Sequence, residues 1–130
     1  MTNDSVTWTI AALQVLAAIG IAGFWLTWFR EPHDQSWLPE GYVDHETPFV
    51  FADTMLSIVL IAAAVLQVTE RSAGESLGLI AAGMLAFLGA LDLAYFARTG
   101  MFARAHGGVV NAAVVGGVMI LAVILTVRFV

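Results

Sequence analysis

The segment PFVFADTMLSIVLIAAAVLQV, Pro48 to Val68, decides the fold. Apart from Asp53, Thr54, Ser57 and Gln67, every side chain in it is apolar. It has no alternation of period two, so it does not read as a half-buried strand. Its roughly 20 residues are what an α-helix needs to cross ~30 Å of hydrocarbon. Three more stretches share that length and character: Val6 to Phe29, Ser76 to Ala97 and Gly108 to Val127. In a bilayer every backbone group must find its partner within the segment, which makes helices of all four. The fold class expected is an all-α integral membrane protein, a four-transmembrane-helix antiparallel bundle. Its helices fall at about 6–29, 48–68, 76–97 and 108–127, in one membrane domain covering residues 1–130.

The breaks between these runs are well marked. Arg30-Glu31-Pro32 ends the first. Thr47-Pro48 reads as an N-cap followed by proline at the first helical position. Glu70 to Glu75 is a short turn, which makes the second and third helices antiparallel neighbours, and Arg98 to Gly107 forms the last loop. The opening Met1-Thr2-Asn3-Asp4-Ser5 carries an acid and no base, where a cleaved signal needs a basic start. The first helix is therefore expected to be retained. Trp8, Trp25, Trp28, Trp37 and Tyr42 sit near the expected interfaces, where amphipathic rings settle.

Composition agrees: 60% of the 130 residues are hydrophobic and 12% charged, whereas a soluble domain carries about twice that charge. With no cysteine there is no disulfide, thiolate nucleophile or iron–sulfur cluster. All five basic residues are arginine, so no lysine amine exists to form a Schiff base. A net charge of -5 speaks against nucleic acid as a partner. The partner expected instead is the lipid bilayer, the cytoplasmic membrane if the cell is prokaryotic. Arg30, Arg98 and Arg104 on one side, against Arg71 and Arg128 on the other, lean towards both termini outside.

Few polar residues lie within the spans. Asp53, Asp92 and Asn111 come from three different helices, at similar depth beneath the face that carries the first and third loops. Ser57 lies one turn below Asp53 and Tyr95 one turn above Asp92. Glu31, His33, His45, Glu46, Arg98, Arg104 and His106 lie above them in the loops. Ionisable groups in a span are costly and mark function by default. Asp53, Ser57, Asp92, Tyr95 and Asn111 are therefore expected to line a one-sided acidic cup. The competing expectation is that the aspartates only bond helix ends and loop arginines. His33, His45 and His106 are weak metal candidates, since no spacing places two of them on one helix face. No cofactor is expected. Gln14 and Gln67, near the opposite face, read as interhelical hydrogen-bond partners.

Three functions follow from this constellation. The first is binding or transport of a small cation, a proton-coupled solute or a lipophilic ligand. The second is a membrane-embedded acid–base enzyme, an isomerase or cyclase, with Asp53 and Asp92 as its catalytic pair. Two carboxyls in one poorly hydrated site resist joint ionisation, which suits such chemistry. The third is an accessory subunit of a membrane complex. A small residue at every fourth position, Gly74, Gly78, Ala82, Ala86, Ala90 and Ala94, supports either internal packing or a homodimer seam.

Overall fold

The structure, a computed structural model, describes residues 4–130 and is all-helical within them. Met1 to Asn3, part of the start that led us to expect a retained first helix, lie outside the described residues. Five α-helices form: α1 (Asp4–Arg30), α2 (Tyr42–Glu46), α3 (Phe49–Val68), α4 (Ala73–Thr99) and α5 (Gly108–Phe129). A 3-10 turn at Arg104–His106 precedes α5. Four helical segments are long and apolar enough to cross a membrane, one of them running through α2 into α3.

The short α2 is the departure from the sequence reading. Thr47 does not cap α3; its hydroxyl donates back to the Val43 carbonyl at 2.6 Å. Pro48 has no N–H to give to the turn before it, so the ladder is interrupted there. Bonds of 3-10 type carry the chain across the gap, from Val50 N to Thr47 O and from Phe51 N to Pro48 O. The helix that was expected to begin at Pro48 thus continues an earlier one.

Helices pack in chain order, α1 on α3, α3 on α4 and α4 on α5, while α1 and α5 approach one another only slightly. The core lies between them, with Leu60, Ala63, Ala81 and Leu125 fully buried. One buried polar network joins three helices. The Gln14 amide donates to Gln67 Oε1 at 2.6 Å, and Gln67 Nε2 donates to the Gly74 carbonyl at 3.0 Å. The two glutamines are interhelical partners, as their position suggested.

Gly74 permits this network. A Cβ there would stand 2.7 Å from the Gln67 backbone nitrogen, so α3 and α4 touch backbone to backbone. Gly74, Gly78 and Ala82 are buried inside the molecule, whereas Ala90 and Ala94 are exposed. Half of the small-residue ridge therefore serves internal packing. At the other end, Trp37 of the first loop stacks on His106 of the third, with ring centroids 5.0 Å apart and planes 7° from parallel. The two loops share one end of the molecule.

Candidate functional site

Beneath those loops, α1, α2, α3 and α4 bring one group of side chains together. Trp25 and Trp28, almost one turn apart on α1, are both buried. The Trp25 indole N–H donates to Asp53 Oδ2 at 2.9 Å, which fixes that carboxyl to α1 from its place in the second turn of α3. Glu46, the last residue of α2, is 8% exposed, and its Oε2 is buried with no hydrogen-bond partner. It lies within electrostatic reach of Asp92 on α4 and of Asp53. Asp53 also acts on Asp92. Three carboxyls, from α2, α3 and α4, thus lie within electrostatic reach of one another.

Aromatic rings surround them. Tyr42, one turn before Glu46, lies near Glu46, Tyr95 and Asp92. The Tyr42 and Tyr95 rings stack at 6.2 Å, and His45 lies flat on Tyr95 at 3.9 Å. Tyr42 meets the edge of Trp28 at 5.5 Å. On that same indole rests His33, at 3.9 Å, with Nε2 2.9 Å from the Trp28 carbonyl.

Among the described residues, the charges that act on Glu46 and Asp92 are those of other acids and none is an arginine's, while Asp53 feels burial and the Trp25 hydrogen bond. This disfavours the expectation that the aspartates merely bond loop arginines. Like charges crowded into a poorly hydrated place draw in a proton or a cation.

The expected site residues divide. Asp53 lies within electrostatic reach of Asp92, and Tyr95 is tied to the same region through its stack with Tyr42. Ser57 is half-buried one turn further along α3. Asn111 has a different use: its amide donates to the Met101 carbonyl at 2.7 Å, tying the start of α5 to the third loop. Among the described residues no three His, Asp or Glu side chains come together in an arrangement able to hold a metal. The three histidines rest on three separate aromatic partners, Trp28, Tyr95 and Trp37.

Glu46, Trp25 and Tyr42 were not expected at the site. A signal for two of them exists: Tyr42, Glu46 and Asp53 fall four and seven residues apart, on one helical face. Starting the helix at Pro48 hid that face. Of the open cavities among the described residues, two stand out, and neither is lined by the three carboxyls. One, of about 360 Å³, lies beside Tyr42 and His33 under the first loop. The other, of about 470 Å³, lies at the opposite end among Glu70, Arg71, Glu75 and Arg128. Asp53 and Asp92 each keep part of their surface exposed.

Compared with protein-family models, curated proteins and solved structures, the chain matches none of them.

Proposed function

We propose that this protein spans a membrane four times and binds a small positively charged ligand in the cup formed by Glu46, Asp53 and Asp92. The membrane half of the proposal rests on the outer surface. Leu16, Ile19, Leu26, Phe51, Met55, Ile58, Phe87, Val123 and Val127 are each at least 60% exposed, spread along all four long helices. Apolar exposure on that scale is ordinary in lipid and a liability in water. The binding half rests on Glu46. A buried carboxylate oxygen with no donor costs free energy that folding alone does not return. A cation or a cationic head supplies both the missing donor and the missing charge.

Binding fits better than passage. At the far end Gln14 and Gln67 are spent on each other and on the Gly74 carbonyl, so they do not prolong the cup towards the opposite face.

Labelling with dicyclohexylcarbodiimide, which attacks protonated carboxyls in apolar surroundings, tests the cup. In detergent-solubilised protein, Glu46 or Asp92 should take the label. At least one of sodium, calcium or an alkylammonium salt should slow that labelling several-fold. Labelling at the same rate with every cation, or label confined to exposed carboxyls such as Asp34 and Asp44, would sink the proposal.

A further inference from the structure

We infer that the cup receives the ammonium head of a lipophilic primary or secondary amine, whose apolar body stays outside among the exposed side chains of α4. This rests on the cationic-ligand reading above and adds the chemical class of the ligand.

Three observations select that class. First, the free atom is an acceptor: Glu46 Oε2 is buried and lacks a donor. An N–H bond satisfies it directly, and an ammonium carrying two or three N–H groups also reaches neighbouring carboxyls. Second, the groups do not suit a metal ion. Calcium takes six to eight oxygens around one point, whereas no three acidic or histidine side chains here are arranged to hold one. Third, the rings of Tyr42 and Tyr95 border the acids. Aromatic rings attract alkylammonium charge and tolerate the carbon next to it.

The body of such a ligand has somewhere to go. Asp92 lies between the exposed Leu91 and Leu93. An alkyl chain leaving the head passes from the half-exposed Asp92 onto these side chains, and the ligand enters sideways from the hydrocarbon.

The test measures thermal unfolding of the full chain in dodecyl maltoside, titrated with decylamine, decyltrimethylammonium, 1-decanol, sodium chloride and calcium chloride. Glu46→Gln and Asp92→Asn are run alongside, with circular dichroism to confirm that each is helical. If Glu46→Gln fails to fold, Asp92→Asn serves as the reference. Decylamine should raise the midpoint saturably in the parent, with a half-saturating concentration at least tenfold higher in the variant. Decanol and decyltrimethylammonium should give parent and variant the same small shift.

Equal saturable stabilisation by decyltrimethylammonium, which has no N–H, would overturn the amine and leave the cationic cup standing. Stabilisation by sodium or calcium without decylamine would do the same. Decanol matching decylamine, or no cation stabilising the parent more than the variant, would overturn both.

Discussion

At the scale of single residues, hydrogen bonds between distant side chains decide what each polar group does. Trp25 and Asp53 are 28 residues apart, yet their bond at 2.9 Å fixes the first carboxyl of the cup. Trp25→Phe keeps the ring and removes the donor. The expected loss is about 1–3 kcal/mol of unfolding free energy, as for bonds to ionisable groups, measured by denaturation in mixed micelles. The same substitution in an Asp53→Leu background should cost much less, because the acceptor is already gone. An equal cost in both backgrounds would show that the ring, not its N–H, is what matters. The Gln14–Gln67 pair makes a second case. Either Gln→Leu substitution should lose about 0.6–2 kcal/mol, the range for polar contacts between membrane helices. The double variant should lose less than the sum, since each single change strands the other amide.

At the scale of elements, contact between helix backbones is set by where α4 carries glycine. A methyl at Gly74 would press on the backbone of α3, whereas one at Gly83 would meet nothing within 4 Å. Gly74→Ala should therefore destabilise by about 1–3 kcal/mol through overpacking. Gly83→Ala should be neutral, or stabilising by up to about 1 kcal/mol through helix propensity alone. Thermal unfolding of the two variants side by side checks this, and a matched response would mean that α3 and α4 are not in backbone contact. The ridge on α4 divides at Ala86, which is half-buried against the core. Bulk added at Ala86 therefore tests internal packing. A homodimer seam is tested at the exposed Ala90 and Ala94. If that seam exists, Ala90→Leu should reduce self-association in detergent and leave the unfolding midpoint of the monomer unchanged.

At the scale of the whole molecule, the aromatic stack between Trp37 and His106 gathers the first and third loops over the acids. Cysteines introduced as Ser36→Cys and Ala105→Cys should react with an impermeant maleimide from one side of a sealed vesicle. Ser72→Cys, in the turn between α3 and α4, should react only from the other. Labelling of Ser36→Cys and Ser72→Cys from the same side would refute the four-span arrangement. Loose contact between α1 and α5 has a further consequence: the molecule is a row of helices bent over a core more than a closed ring.

How much of this was legible before any coordinates differs between helices and site. The four apolar runs announce four helices, since apolar length and the need to pair each backbone group within its own segment dictate helix whatever the neighbours are. The antiparallel order of α3 and α4 follows from a turn too short for anything else. The same arithmetic of 1.5 Å per residue places Asp53 and Asp92 at one depth, and Asp53 lies within electrostatic reach of Asp92. Beyond depth, residue order runs out. Whether Asn111 faces the acids or the third loop depends on how α5 is rotated, and rotation is set by packing against α4. Glu46 comes beside Asp53 because α2 runs on into α3 and puts both on one helical face, a continuity that the proline at position 48 conceals. The histidines share one end of the molecule yet are drawn to three different aromatic rings, since each is placed by its own loop. Hydropathy is a property of one segment and can be summed along it. A binding cup is a property of several segments at once, and their relative turn exists only after they have packed.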